Sequence, residues 1–435
     1  MSAILTLLVP NYNRPEELGR LLRGMFVAIE QAKAQDDVDV LVVDDYSTED
    51  LREVIAPFTR YRNFSYRQQR AKCGNAEVAF LTAMEDVETD YVWLFGNDDE
   101  VEPHGVKMVL QVLRARSPGF VLLNPRIANE RYRQPLVPIR TTSPSVIYPR
   151  TEQLFMDFGF VTSTTTFSCL VMKTKPVQVF HTKYRLIQLA TVYSHTFTMF
   201  GALLDLPGIF LSAPIVTMTH NERLPEDDKL RKQVPEGIRF FHHSLGLARL
   251  IRACAEATGR SIGQIVRAME DEVDKDTMIV HATRLSHFLA HFFIEQLCRE
   301  QDNVARARKG FGHLTKLEVM EIVDVIDAAG DNPLSALIDD VVDAFPWPLA
   351  SPAWKIHFMR KAQLRVRELV QERYRDALMQ RRRRYPRKVA PSNHLLIPLQ
   401  GISGDWMGAP AEGAHENDSR WLRDQTGDGP ERIFI

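Results

Sequence analysis

The stretch LTLLVPNYNRPEEL, residues 5–18, decides the fold class of this chain. Its first five residues form a short apolar run, which ends at a proline and a group of polar residues. From residue 15 onward, apolar residues recur every three or four positions, as they do on one face of an amphipathic helix. The stretch therefore predicts a buried strand that leads directly into a helix.

The same alternation of strand and helix continues to about residue 124. Apolar runs predict strands at 4–9, 38–45, 63–67, 90–95 and 120–124. Helical periodicity predicts helices at 15–33, 50–58, 75–86 and 103–114. Repeated units of this kind indicate an α/β protein with a mostly parallel sheet, and such sheets bind ligands at the carboxyl ends of their strands.

The rest of the chain has a different pattern. Residues 125–150 contain five prolines and no sustained period, which is typical of an exposed crossover or a loop over a site. Strands are predicted at 162–173 and 208–218, and a helix is predicted at 186–204. Helical periodicity dominates residues 235–330.

These patterns predict four units along the chain. We expect an α/β domain at 1–222, an all-α domain at 223–345, a basic amphipathic segment at 346–390 and an irregular tail at 391–435. A length of 435 residues fits two or three domains, and 45% hydrophobic residues exclude disorder for most of the chain.

Charge and cysteine content limit the class of protein further. The net charge is only −2, so affinity for an acidic surface has to come from local clustering. The four cysteines form no CxxC pair, which argues against a structural zinc and for a reducing compartment. The amino-terminal run lacks the features of a signal peptide, and no apolar stretch reaches the ~20 residues of a spanning helix. We therefore expect a cytoplasmic protein.

Polar clusters follow three of the predicted strands, at 10–14, 44–47 and 96–100. In a parallel sheet these ends lie along one edge, so their carboxylates can converge on a single ligand. Such carboxylates suit Mg²⁺ or Mn²⁺, which complete their shells with phosphate oxygens and water. The pattern predicts a nucleoside-diphosphate site. The alternative is that each cluster is only a turn or a helix cap, a role that Ser47 could fill.

The motifs LTLLVPNYNRPEEL, VLVVDDYSTED and YVWLFGNDDEVEP, at 5–18, 40–50 and 91–103, resemble those of family 2 glycosyltransferases. The resemblance covers residues 3–125 and is closest to the branch that includes abequosyltransferase-like enzymes of surface-polysaccharide synthesis. It implies the GT-A fold, a Rossmann-like domain for nucleotide-sugar donors. It also implies glycosyltransferase activity with a divalent metal, Mn²⁺ or Mg²⁺.

The resemblance implies roles for individual residues. The donor would be bound by Pro10, Asn11, Tyr12, Arg14, Asp44, Asp45, Asn97 and Asp98. The metal would be held by Asp98, Asp99 and His220, and the catalytic residues would be His195 and Asp99. Two positions depart from the family pattern. Gly96 replaces the first aspartate of a D-x-D motif, and residues 74–80 lack the arginine that contacts the diphosphate in many relatives.

An inverting transfer needs a general base near the acceptor hydroxyl. Position relative to the last predicted strand of the α/β domain favours His195, whose ordinary pKa suits that task. Asp205 is the alternative base, and a purely structural histidine is the alternative role for His195. The histidine pairs 242–243 and 287/291 lack the pattern of a metal site and are expected in packing or surface positions.

Residues 355–388 contain thirteen lysines or arginines against three acids, interleaved with apolar residues. A helix of this composition binds an anionic membrane surface, so we expect contact with the inner face of the membrane. A solvated helix or a domain-docking helix is the alternative. Nucleic acid is not an expected partner, because no recognised nucleic-acid-binding fold surrounds the basic run.

We therefore expect an enzyme that moves a sugar from a nucleotide-diphosphate donor to a glycan or lipid-linked acceptor. One alternative is a sugar-nucleotide nucleotidyltransferase, which would need a Gly-rich phosphate loop that residues 10–13 do not provide. The other is a non-catalytic binding or scaffold protein with a GT-A fold, which Gly96 and the missing arginine favour.

Overall fold

A computed structural model describes residues 3–73, 76–129, 137–138, 145–164, 167–190, 192–220, 242–269, 289, 316–328 and 431–433. Its strands are β1 (Leu5–Asn11), β2 (Val38–Asp44), β3 (Phe64–Gln68), β4 (Tyr91–Leu94), β5 (Glu100–Val101), β6 (Phe120–Asn129), β7 (Val137–Pro138), β8 (Ser145–Tyr148), β9 (Leu170–Lys173), β10 (Gly208–His220) and β11 (Glu431–Ile433). Its helices are α1 (Pro15–Ala32), α2 (Arg52–Ile55), α3 (Ala76–Met84), α4 (Gly105–Arg116), α5 (Thr151–Thr164), α6 (Thr174–Tyr184), α7 (Ser194–Leu203), α8 (Leu247–Thr258), α9 (Ile262–Ala268) and α10 (Lys316–Ala328).

The eleven described strands join one mixed sheet. Nine of them follow the order β11-β8-β10-β6-β9-β4-β1-β2-β3, while β5 pairs with β10 and β7 pairs with β6. The neighbours of β1, which are β2 and β4, are parallel to it, and β2 is parallel to β3. The short strand β9 is antiparallel to both β4 and β6. Because β10 is parallel to β6, the strands β1, β2, β3, β4, β6 and β10 all run in one direction. Their carboxyl ends therefore share one edge of the sheet.

Right-handed crossovers distribute the first helices between the two faces of the sheet. The chain moves outward from β1 to β3, so α1 and α2 cover one face, and its return to β4 places α3 on the other. The inner side of α1 is fully apolar, with Leu18, Leu22 and Met25 buried against the sheet. Burial of such aliphatic side chains contributes about 1.5 to 3 kcal/mol each.

The predicted α/β class is confirmed, and the first five predicted strands have counterparts close to their predicted bounds. Two predictions are wrong in part. The predicted strand at 162–173 begins only at Leu170, because residues 151–164 belong to α5 and helix packing overrides the β propensity of this threonine-rich run. The predicted helix at 186–204 is interrupted, and only Ser194–Leu203 is α-helical beyond a single 3₁₀ turn.

The prediction of a crossover or loop at 125–150 is wrong for the residues that the structure describes, while residues 130–136 and 139–144 lie outside them. Strand β6 continues through Pro125 to Asn129, and β7 and β8 follow. Pro125 lies opposite Val216, where the register of β10 shifts, so the sheet tolerates its missing N–H at an irregularity. Of the tail at 391–435, which was predicted to be irregular, only residues 431–433 are described, and they form β11 on the edge of β8. An edge strand presents unpaired backbone groups that even a short segment can satisfy.

The described helices beyond residue 222 pack on the α/β layers. Leu250 and Cys254 of α8 are fully buried in the same apolar core as Phe197 of α7. The hydroxyl of Tyr184 donates to the carbonyl of Ala257 at 3.1 Å. These helices therefore share a core with α6 and α7, and the boundary at 222/223 stays a prediction. Among the described helices, none has both the length and the apolar character needed to cross a bilayer.

Candidate active site

Three loops meet at the carboxyl edge, after β1, β2 and β4. The amide of Asn97 donates to Oδ1 of Asn11 at 2.8 Å, and Nδ2 of Asn11 donates to Oδ1 of Asp44 at 3.3 Å. All three side chains are buried. The structure thus brings together one polar residue from each of the three predicted strand ends.

Asp44 is fully buried, and its carboxylate is surrounded by donors from the protein itself. It accepts hydrogen bonds from the amide and hydroxyl of Ser47, from the Tyr66 hydroxyl at 3.2 Å and from Nε2 of Gln68 at 3.2 Å. Burial, together with the charge of Asp44, raises the pKa of Tyr66 to about 12. The carboxylate of Asp44 therefore faces the protein and fixes the loop after β2, and its expected contact with the donor stays a prediction.

Asp45 follows Asp44 and joins a second segment to the edge. Its backbone N–H donates to the carbonyl of Asn11 at 2.7 Å, and its carboxylate accepts from the backbone N–H of Cys73. Burial raises the pKa of the Cys73 thiol to about 11, and the Asp45 charge acts in the same direction. The preceding residue, Lys72, places its ammonium 3.7 Å from the ring centroid of Tyr12. A cation and an aromatic ring therefore flank Asp45.

The loop that carries Tyr12 is held in an uncommon backbone conformation. Asn13 has φ of 45° and Tyr46 has φ of 62°, in the left-handed region that non-glycine residues rarely adopt. Oδ1 of Asn13 accepts from the backbone N–H groups of Thr48 at 2.8 Å and Glu49 at 3.2 Å. These bonds offset the backbone strain and lock the loops after β1 and β2 to each other.

Asp98 and Asp99 are adjacent in sequence but lie in different surroundings. The Asp98 side chain is 28% exposed and forms an ion pair with Arg14, whose Nη1 lies 2.7 Å from Oδ2. Asp99 is 9% exposed and accepts from the hydroxyl of Ser168 at 2.5 Å. The same hydroxyl accepts from the backbone N–H of Gly96 at 2.8 Å. Asp98 thus faces the open edge, and Asp99 anchors the loop to the protein.

Gly96 stands where a D-x-D motif would have its first aspartate. A Cβ at this position would lie 3.1 Å from Oδ1 of Asp98 and 3.3 Å from Oδ2 of Asp99. A third carboxylate here would therefore crowd two others. The local packing explains why glycine fits this position and leaves Asp98 as the exposed carboxylate of the loop.

The described residues of this edge offer a divalent cation few ligands. Within the described residues, no group of three or more His, Cys, Asp or Glu side chains is arranged to hold a metal. Mg²⁺ and Mn²⁺ are commonly held by one or two carboxylates, substrate phosphates and water, and Asp98 supplies one exposed carboxylate. His220 ends β10, three residues beyond Thr217, which pairs with Glu100. Its backbone therefore lies near the acidic loop, while its side chain is outside the described residues.

Comparison with known proteins assigns the first part of the chain. Residues 6–179 match the profile of Glycosyl transferase family 2. The matched residues, which are 174 of the 435 in the chain, are thus similar to a family 2 glycosyltransferase domain. This match covers the strands β1, β2 and β4, which carry the three predicted motifs.

Individual proteins resemble parts or most of the chain. Abequosyltransferase RfbV of Salmonella typhimurium strain LT2 is 31% identical over 98 residues, which is 22% of this chain and 28% of that protein. The match thus spans just over a quarter of that relative. The crystal structure of S. aureus TarS 1–349 covers 86% of this chain and 91% of its own, with a TM-score of 0.48 and 12% identity. The complex of TarS 1–349 with UDP-GlcNAc has a TM-score of 0.47 and 14% identity.

His195 lies in the first turn of α7 and contacts a side chain of α3. Its ring is 1% exposed, and Nδ1 lies 2.6 Å from Oε2 of Glu77. Nε2 lies 3.3 Å from the Thr196 hydroxyl, and the ring of Phe167 packs against it at 4.9 Å. Both ring nitrogens therefore have protein partners. The predicted role as base remains a prediction, and it requires a path from the acceptor to this buried ring.

The alternative base, Asp205, is wrong on topological grounds. Asp205 lies just before β10, and the neighbouring Pro207 carbonyl accepts from Gly119 at the start of β6. This is the amino edge of the sheet, opposite the candidate site. Arg150 and Arg260 contact its carboxylate at 2.7 and 3.0 Å.

Several residues of the site could not be found from the motifs. Their shared feature is that they support or flank a motif residue from another part of the chain: Ser168, Glu77, Lys72, Tyr66 and Gln68. A signal existed for Tyr66 and Gln68, which alternate along β3 and therefore point to one face beside β2. Ser168 and Glu77 carried no local signal.

Proposed function

We propose that the chain transfers a sugar from a nucleoside-diphosphate donor to a glycan or lipid-linked acceptor in surface-polysaccharide synthesis. The observation that carries this proposal is the chain of hydrogen bonds from Asn97 through Asn11 to Asp44. It holds Asp45 and Asp98 on one edge of a family 2 domain, where α/β sheets bind their ligands. The partial likeness to an abequosyltransferase supports a sugar as the transferred group.

The donor would lie along the carboxyl edge with its parts assigned by chemistry. Asp45 would accept hydrogen bonds from the base or ribose, beside the ring of Tyr12. Lys72, 3.7 Å from that ring, would reach the diphosphate and replace the arginine that residues 74–80 lack. Asp98 would lie at the diphosphate and the sugar. This order follows the sequence of the strands from β2 through β1 to β4.

The chemistry of this site would be mainly electrostatic. When the bond between the sugar and the diphosphate breaks, negative charge develops on the leaving diphosphate, and preorganised cations stabilise that charge. Arg14 and Lys72 are cationic side chains at this edge, and Arg20 pairs with Glu100 of the acidic loop at 2.9 Å. A divalent cation bound beside Asp98 would supply further stabilisation of the same kind.

Acceptor activation would depend on His195. If its Nε2 accepts the proton of the acceptor hydroxyl, the carboxylate of Glu77 at Nδ1 would hold the ring orientation and stabilise the resulting imidazolium. Asp99 would act by fixing the acidic loop through Ser168. The acceptor would be held beside the membrane by residues 355–388, which lie outside the described residues.

Thermal-shift measurements with nucleoside diphosphates test the proposed function. A ligand that binds only the folded chain raises its melting temperature by mass action. We expect at least one nucleoside diphosphate to raise the melting temperature, and the Asp45→Ala variant to respond less. If no nucleoside diphosphate shifts the wild type, with or without Mn²⁺, the proposed donor class is wrong.

A further inference from the structure

Arg14 is held at the open edge by the acidic loop itself. Its Nη1 donates to Oδ2 of Asp98 at 2.7 Å and to Oδ1 of Asn97 at 3.0 Å. Asn97 is fixed in turn by its bond to Asn11. Both hydrogen bonds that the Arg14 guanidinium donates to described residues come from Nη1. Nε and Nη2 can therefore donate to a further acceptor.

The carboxylates of this edge differ in what neutralises them. Asp44 and Asp99 are buried and accept hydrogen bonds from neutral protein donors. Glu100 pairs with Arg20 at 2.9 Å, and Arg20 also donates to the backbone carbonyl of Asp98 at 3.4 Å. The side-chain carboxylate of Asp98 is partly exposed and pairs with the guanidinium of Arg14. A divalent cation that approached the edge would therefore meet Asp98 with its charge already compensated.

We propose that Arg14 is an internal counterion that competes with a divalent cation for Asp98. This inference rests on the proposed function, and it concerns the state before the donor binds. A cation that takes the Asp98 oxygen displaces the guanidinium, which then has its donors available for the donor diphosphate. Binding of the cation and of the diphosphate should therefore strengthen each other, and the cation alone should bind weakly.

Binding of Mn²⁺ alone to the full chain tests the competition between Arg14 and the cation for Asp98. Electron paramagnetic resonance measures this binding as a loss of the free Mn²⁺ signal. Arg14→Gln should bind Mn²⁺ about two- to fivefold more tightly than wild type, since the weak ion pair of Asp98 no longer opposes binding. Arg23→Gln is the matched control, because it removes the same charge from an exposed position of α1, the helix that begins directly after Arg14. It should bind Mn²⁺ as wild type does.

A double variant locates the effect. Adding Asp98→Asn to Arg14→Gln should abolish the gain in Mn²⁺ affinity, because the carboxylate for which Arg14 and the cation compete is then absent. If Arg14→Gln does not fold by circular dichroism, Arg14→Lys provides the test, with a gain in the same direction. A lysine cannot reach Asn97 and Asp98 with the same fork geometry.

The inference is overturned if Arg14→Gln binds Mn²⁺ no more tightly than wild type, or if neither protein binds Mn²⁺. It is also overturned if the gain persists in the double variant. These outcomes are separate from failure of the proposed function, because nucleoside-diphosphate binding in metal-free buffer is measured on the same wild-type protein. If the chain binds the nucleotide but Arg14→Gln does not change Mn²⁺ affinity, the proposed function stands and the counterion role of Arg14 is wrong.

Discussion

The side-chain amide of Asn97 donates a hydrogen bond to the side-chain oxygen of Asn11 at 2.8 Å, and both side chains are buried. This bond ties the acidic loop after β4 to the end of β1. Because Asn11 also donates to Asp44, the loops after three strands are fixed before any ligand arrives. Preorganisation of this kind lowers the cost of ordering a site when the donor binds.

Replacement of Asp44 should destabilise the fold more than it changes the chemistry. Asp44→Asn places an amide among donors from Asn11, Ser47, Tyr66 and Gln68, so several hydrogen bonds to a charged acceptor are lost. We expect a loss of about 2 to 4 kcal/mol in the free energy of unfolding, measured by urea denaturation. Asp50→Asn is the control, because Asp50 and its partner Arg52 are exposed. An Asp44 variant as stable as this control would contradict the structural role.

Asp45 should matter for donor binding, although its carboxylate also accepts the hydrogen bond from the backbone N–H of Cys73. Asp45→Ala removes a carboxylate that would accept from the base or ribose. We expect nucleoside-diphosphate affinity to fall by about 1 to 3 kcal/mol, the usual cost of losing a hydrogen bond to a charged group. Calorimetric titration measures this directly. Affinity equal to that of wild type would remove Asp45 from the donor site.

The reactivity of Cys73 should report on Asp45. Burial and the Asp45 charge raise the pKa of the Cys73 thiol to about 11, so the reactive thiolate is scarce below that pH. Alkylation of Cys73 by iodoacetamide, followed by peptide mass spectrometry, should therefore rise steeply only towards pH 11. Asp45→Asn removes the negative charge and should speed alkylation at pH 8 to 9.

The raised pKa of the Cys73 thiol also makes the free energy of unfolding depend on pH. A thiol whose pKa is raised on folding contributes stability that is fully present below its ordinary pKa of about 8.5 and is lost as pH rises through 11.

If Cys73 is alkylated at pH 8 as quickly in wild type as in Asp45→Asn, the contact between Asp45 and Cys73 does not control the reactivity of the thiol.

The sequence was sufficient for β1 to β4 and β6, and for the residues at the ends of β1, β2 and β4. Periodicity located β1 to β4, and the parallel arrangement of β1, β2 and β4 then required Asn11, Asp45 and Asp98 to share one edge. Side-chain environment was not accessible in the same way. That Asp99 faces inward depends on Ser168, which lies far along the chain in sequence.

The remaining errors came from patterns whose outcome depends on tertiary packing. Pro125 is compatible with a strand because β10 shifts its register beside it. The antiparallel strand β9 between β4 and β6 could not be inferred, since an apolar run of four residues carries no information about direction. Glu77 is acidic in the first turn of α3, which suggests only a favourable helix end, yet it pairs with His195.

The basic segment 355–388 should act at the membrane and not in the chemistry. Binding to vesicles should rise with their content of anionic lipid and fall with salt, because screening over about 8 to 10 Å removes most of the attraction. Removal of residues 355–435 should lower activity on a membrane-embedded acceptor and spare donor hydrolysis. If the full chain ignores anionic vesicles at low salt, the segment is better regarded as a docking helix.

Hydrolysis of sugar nucleotides, compared between wild type and Asp98→Asn, tests the central claim most directly. The two proteins should unfold at similar urea concentrations, because the Asp98 side chain is partly exposed and its ion pair with Arg14 contributes little. The account predicts that wild type hydrolyses at least one sugar nucleotide to a nucleoside diphosphate and that Asp98→Asn, although folded, does not. Equal hydrolysis by both proteins, or none by wild type across the sugar nucleotides, would contradict it.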